Sequence, residues 1–136
     1  MANRVEIQRV FHDAPFIEEL GLELVSCDGG VCVTALIIQD KHLQHDGYVH
    51  AGVQATVADH TAGTAASSML AADQRVLSAN ISLSLLRPAE GQLLRCKARI
   101  LKPGRKLKIA ESEIWCVDGE YERLTSKATV TLFVLD

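Results

Sequence analysis

The chain has 136 residues, a hydrophobic fraction of 48% and a formal net charge of −3. That length is one domain with enough residues to bury a core, and the slightly acidic balance leaves no electrostatic footprint for nucleic acid. No apolar run approaches the ~18 residues that a membrane span requires.

Met1-Ala2-Asn3-Arg4 runs straight into Val5-Glu6-Ile7-Gln8 without a signal-peptide pattern, so a cytoplasmic protein is expected. The cysteines Cys27, Cys32, Cys96 and Cys116 lack CxxC spacing and read as reduced thiols of that compartment. Arg4 to Leu20 carries Val5, Val10, Phe11, Ile17 and Leu20 among charges, and Pro15 predicts a helical segment that breaks or restarts there. Leu22-Glu23-Leu24-Val25 alternates as a strand does. Asp28-Gly29-Gly30 is a hairpin turn into a second strand, Val31 to Ile38. After the polar loop Gln39 to Gly47, a long helix is expected from about Ala51 to Ala71. Its residues are mostly small, which suits a helix approached closely on several sides, as by a sheet curved around it.

Val76 to Leu86 alternates with a period of two, placing Leu77, Ala79, Ile81, Leu83 and Leu85 on one face and Ser78, Asn80, Ser82 and Ser84 on the other. Leu93 to Leu101 and Lys106 to Val117 flank the turn Lys102-Pro103-Gly104-Arg105, and Asp118-Gly119 turns the chain into Tyr121 to Val134. Helix, two strands, a long buried helix and then a meander of strands joined by tight turns argue an α+β fold with an antiparallel sheet, in a single domain over 1–136.

Between Gly47 and Ala72 stands one carboxylate, Asp59, with no Lys or Arg. A carboxylate in so apolar a helix is unfavourable unless partnered or used. Gly47-Tyr48-Val49-His50-Ala51-Gly52 reads as a turn into a helix start, where free N–H groups carry partial positive charge. The N–H of Ala51, with that of Gly52, would bind a carbonyl oxygen as it gains charge, and Asp59 would act as general base or nucleophile. Gln44 in the preceding loop would donate to the carbonyl or orient water, and Ser78 would hold the same water. Eight residues of helix separate Ala51 from Asp59 by ~12 Å. One carbonyl cannot touch both, so the pair is either unrelated or joined across two chains on a two-fold axis.

Plainer roles stand beside these. Asp59 could be satisfied by nearby hydroxyls, His50, also a candidate catalytic residue, could be a helix-entry residue bonded to nearby backbone, Gln44 a solvated loop residue and Ser78 a sheet residue. His42 and His45 read as solvated loop residues, and no metal site is expected, since neither HExxH nor a Cys/His ribbon is present. There is no GxSxG elbow and no glycine-rich phosphate loop. Lys102, Arg105, Lys106 and Lys108 gather at one turn, with Arg87, Arg95 and Lys97 on neighbouring strands. They read as a solvated strand-end charge run or as a shallow phosphate patch.

The run His42 to Asp59, with Gly47, His50-Ala51-Gly52 and Asp59 nine residues after His50, resembles the signature of hotdog-fold acyl-CoA thioesterases of the phenylacetic-acid-degradation (PaaI-like) type. Ser78 to Ala89, ending Arg87-Pro88-Ala89, resembles the family's next strand, and Gly104-Arg105 its following hairpin. The resemblance implies a helix wrapped by five or six antiparallel strands and assembly as a homodimer or dimer of dimers. It implies hydrolysis of a thioester to free acid and coenzyme A, with no cofactor expected beyond the coenzyme A of the substrate, while charge and hydropathy already argue for no nucleic-acid or membrane partner. It assigns Asp59 as base or nucleophile, Ala51 N–H as oxyanion donor and Ser78 as water holder, and points to Arg87, Gly104 and Arg105 for coenzyme A. Gln44 stands where the family often has Asn. The rivals are a hotdog-fold enoyl-thioester hydratase or dehydratase, whose Asp-x-Asn-Pro-x-His pattern Asp46 to His50 does not match, and a non-catalytic acyl-CoA-binding module, which would not need Asp59.

Overall fold

A computed structural model describes residues 3–136. Helix α1 (Arg4–His12) is capped by Asn3, whose side chain accepts from the Glu6 N–H, and α2 (Pro15–Leu20) restarts with Pro15 in its first turn, as the sequence predicts. Strands β1 (Glu23–Asp28) and β2 (Val31–Ile37) form the expected hairpin. Gly29 and Gly30, with φ of 57° and 84°, supply the left-handed pair that a two-residue turn needs. A short 3-10 turn (Asp40–His42) then leads to α3 (Ala51–Ser67). Four strands follow: β3 (Arg75–Leu85), β4 (Leu93–Pro103), β5 (Leu107–Asp118) and β6 (Tyr121–Leu135).

The strands form one antiparallel sheet in the order β1-β2-β4-β5-β6-β3. Strands β4, β5 and β6 are the expected meander. The first strand after α3 is not part of it: β3 crosses to pair with β6 and becomes an edge. The sheet curves around α3, which packs on β2 through β6, giving the hotdog arrangement of helix and sheet.

Why the sheet can close on this helix follows from its residues. Ala58, Ala62, Ala65 and Ala66 are fully buried beneath Leu36, Leu94, Ile114, Val130 and Leu132. Strand hydroxyls grip the helix between these contacts. Thr34 Oγ1 lies 2.7 Å from Thr61 Oγ1, whose hydroxyl donates to the Val57 carbonyl, and Ser112 Oγ donates to the Ala58 carbonyl at 2.8 Å. Buried polar groups so paired add specificity without a desolvation penalty left open. The helix stops at Ser67, short of the expected Ala71, where Ser68 Oγ donates to the Ala65 carbonyl and accepts the Gly30 N–H. A serine bonding locally to backbone competes with helix propagation.

The two faces of β3 differ from the sequence reading. A bulge between Ser78 and Asn80 interrupts the period of two. Ser78 therefore lies opposite buried Leu132 and shares the helix-facing side with Ile81, Leu83 and Leu85, while Leu77, 62% exposed, lies opposite Phe133 on the outside. Asn80, Ser82 and Ser84 keep to the outer face.

Candidate active site

The candidate residues fall on three elements. The loop before α3 is held by its own backbone: Gln44 N–H donates to the Tyr48 carbonyl, His50 N–H to the His42 carbonyl, and Val49 N–H to the Ala89 carbonyl. His42 anchors the loop's start. It is 1% exposed, its Nδ1 accepts from the Gln39 N–H at 2.9 Å, and its Nε2–H donates to the Leu20 carbonyl at 2.8 Å. This corrects the sequence reading of His42 as solvated: two backbone partners one on each ring nitrogen make burial favourable. His45, by contrast, is exposed beside Asp46.

His50 is the N-cap of α3. Its Nδ1 accepts the Gly52 N–H at 2.8 Å, and a Cβ at Gly52 would come within 3.0 Å of that nitrogen. The His-Ala-Gly order thus has a local cause. The Gly52 N–H, a candidate oxyanion donor by sequence, serves the cap. Among the described residues no acceptor meets the Ala51 N–H, which is left at the positive end of the helix. Gln44 Oε1 accepts from the Asp46 and Tyr48 N–H groups, at 2.5 and 3.2 Å, so its oxygen is fixed to the turn and its amide NH2 is the end left to donate.

Asp59 is half-buried, two turns further along α3. Ser78 Oγ donates to its Oδ1 at 2.5 Å, a contact that exists because the β3 bulge turns Ser78 toward the helix. His60 beside it packs on Phe11 and donates from Nε2 to the Phe11 carbonyl at 3.0 Å. Burial holds its pKa below the ordinary histidine value, against the opposing pull of the Phe11 carbonyl and the Asp59 charge.

These groups open into different cavities of the one chain. Gln44, His50, Ala51 and Arg87 line a cavity of about 660 Å³, to which buried Gln54 also contributes. Asp59 and Ser78 line another, of about 340 Å³. Gly104 and Arg105 belong to neither: Arg105 stands by Gln74, Lys106 and Asp136. Part of the basic cluster is engaged: Arg95 pairs with Glu122, Lys106 with Asp136, Lys108 is buried and donates to the Gly104 carbonyl, and one guanidinium nitrogen of Arg87 donates to the Leu124 carbonyl. Gln54 and His60 carry no motif and are recognisable only as lone polar residues in an apolar helix. Among the described residues no three His, Cys, Asp or Glu side chains converge as metal ligands, and no helix is long and apolar enough to cross a membrane. The four cysteines are free thiols, three of them buried.

A carboxylate bonded by a serine and a helix start with an unpaired N–H, carried on a hotdog sheet, suit acyl chemistry by class. Comparison with known proteins agrees. The family profile of the Thioesterase superfamily matches residues 46–122, more than half of the chain. A 1,4-dihydroxy-2-naphthoyl-CoA hydrolase of Listeria monocytogenes is 28% identical over 117 residues, covering 86% of this chain and 93% of the relative. A thioesterase family protein from Silicibacter pomeroyi superposes with a TM-score of 0.92 at 29% identity, over 95% of each chain. A phenylacetic acid degradation-related protein from Ralstonia eutropha JMP134 gives 0.80 at 26% identity, over 93% of this chain and 98% of that one. The chain belongs to the thioesterase superfamily and is a thioester hydrolase of the hotdog, PaaI-like kind.

Proposed function

We propose that the protein hydrolyses acyl-CoA thioesters at a site built from two copies of the chain, with Asp59 of one facing the Ala51 N–H of the other. The observation that carries this reading is the separation of the two groups. Asp59 with its serine, and Ala51 with its unpaired N–H, line different cavities of one chain, and each is half of what the chemistry needs. An antiparallel pair of α3 helices related by a two-fold axis near Ala55, midway between the two, sets each Asp59 against the other Ala51. Three features support such a pairing. The side of α3 that carries Ala55, Thr56, Asp59 and Gly63 is left partly open by the sheet. Its residues are small enough for close approach. Strand β3 is an edge, and Ile81 and Leu85 on its helix-facing side are 41% and 51% exposed.

In that arrangement the roles divide as follows. The Ala51 N–H, at the helix start, receives the carbonyl oxygen as it becomes an oxyanion, a contribution of ~3–4 kcal/mol for a single such donor. The Gln44 amide NH2 donates to the same oxygen. Asp59, oriented by Ser78, takes a proton from water as the water oxygen attacks the acyl carbon; direct attack by the carboxylate is the alternative. The C–S bond breaks, the thiolate takes up the proton, and acid and coenzyme A leave. Arg87, at the mouth of the Ala51 cavity, offers its guanidinium to the phosphates of coenzyme A. Gly104 and Arg105 enter only as contributions to the coenzyme A of a neighbouring chain. A thiol-release assay over acyl-CoAs tests the proposal. Asp59→Asn is expected to lower turnover by about 10²–10⁴, as for loss of a general base. Unchanged turnover in a folded Asp59→Asn protein contradicts it.

A further inference from the structure

Within the single chain nothing requires Gly63 to be glycine. It lies in the interior of α3, one turn beyond Asp59, where glycine is ~1 kcal/mol less favourable than alanine. Its φ is not positive, and a Cβ built on it meets nothing within 4 Å. The buried alanines of the same helix, Ala62, Ala65 and Ala66, are small because the sheet presses on them; Gly63 borders open space. That space is the cavity of about 340 Å³ into which Asp59 and Ser78 open.

The cavity has a direction. Asp59, Gly63 and Ser67 recur every four residues and so lie along one face of α3, spanning ~12 Å. Val76 and Leu132 form the sheet side, and Val10 of α1, 46% exposed, covers the outer side. Val10, Ser67 and Val76 also line a second cavity of about 300 Å³ under α1, so the two spaces adjoin. Beyond Asp59 and His60 the first cavity carries no titratable side chain; Glu6, Arg9 and Arg75 appear only in the second. Together the spaces have the size of a small-molecule pocket.

Resting on the thioesterase reading above, we propose that this space is the acyl chamber, that Gly63 keeps it open, and that the preferred substrates carry an uncharged, elongated apolar acyl group running from Asp59 past Gly63 toward Ser67. A zig-zag chain built of ~1.5 Å C–C bonds advances ~1.25 Å per carbon, so ~12 Å holds an acyl group of about nine or ten carbons. Glycine here trades helix stability for room.

The test compares kcat/KM for acetyl-CoA, hexanoyl-CoA and decanoyl-CoA in the wild type, Gly63→Ala and Gly63→Leu, with thermal midpoints and size-exclusion profiles recorded for each. The chamber predicts that the decanoyl-to-acetyl ratio falls at least tenfold in Gly63→Leu and less in Gly63→Ala, with the hexanoyl ratio between. Gly63→Ala, whose methyl fits the open space and raises helix propensity, is expected to melt no lower than the wild type and carries the test should the leucine variant fail to fold. An unchanged ratio, an equal loss on all three substrates, or a changed oligomeric state overturns the chamber. Asp59→Asn, assayed in parallel, separates the two proposals: turnover that depends on Asp59 with an unmoved ratio removes the chamber alone, and turnover indifferent to Asp59 removes the catalytic reading.

Discussion

Ser78 reaches Asp59 only because a bulge in β3 turns it inward, and that contact yields a quantitative prediction. Replacing Ser78 with alanine deletes a 2.5 Å hydrogen bond to the carboxylate and alters little else, since Ser78 is exposed and bonds nothing further among the described residues. A hydrogen bond to a charged group contributes about 1.5–3 kcal/mol, and each 1.4 kcal/mol is tenfold, so Ser78→Ala should lower kcat/KM by about 10- to 150-fold. The solvent-open side of the contact favours the lower half of that range. The assay is thiol release in a double-mutant cycle with Asp59→Asn. If Ser78 acts by orienting Asp59, its removal from an Asp59→Asn background changes the residual rate by less than about twofold, because residues that act as a unit are not additive. A full additional loss in the double mutant refutes the reasoning and makes Ser78 an independent water holder.

Two further outcomes follow from histidines whose rings bond backbone carbonyls. His42→Ala orphans the Gln39 N–H and the Leu20 carbonyl, so urea denaturation should show a loss of about 2–5 kcal/mol with an unchanged m-value; a loss below about 1 kcal/mol contradicts the buried-anchor assignment. His60, whose folded pKa is depressed by burial, favours the native state most above the unfolded pKa of about 6.5. That contribution is lost as pH falls through the folded value, because the unfolded chain binds the proton first. His60→Gln should therefore flatten the decline in stability on the acid side of about pH 6.5, and an unchanged slope in denaturation midpoints across that range contradicts the assignment.

Much of the fold was legible. Pro15 marked the break between α1 and α2, Gly29-Gly30 the hairpin turn, and the stretch of small residues with Asp59 as its one acid and no Lys or Arg the helix inside the sheet. The pairing of β3 with β6 was not, because alternation reports which face of a strand is buried and says nothing of its neighbour. The bulge was hidden for a related reason: Leu77 continues the apolar alternation in sequence, yet one unpaired residue moves it to the outside and brings Ser78 in. In the candidate site, His50, Ala51, Asp59 and Ser78 are singled out by type and spacing. The partners of His42 could not, since they are backbone groups of Leu20 and Gln39 that only the folded loop brings to the ring. Gly63 is the subtler omission. A glycine among alanines reads as one more small residue until the space beside it is measured.

Subunit complementation tests the shared site most directly. Ala51→Pro deletes the N–H proposed as oxyanion donor while suiting the first helical position, and His50, with φ −59° and ψ 139°, already has the backbone that precedes proline. Asp59→Asn deletes the acid. Each variant alone should be nearly inactive in thiol release. Refolded together at equal amounts, half of the dimers are mixed, and each mixed dimer has one site with both defects and one with none. Recovery of about a quarter of wild-type activity is the predicted result for sites shared across a two-fold axis. No recovery, with mixed dimers demonstrated in the sample, would show that Asp59 and Ala51 do not serve one substrate from two chains.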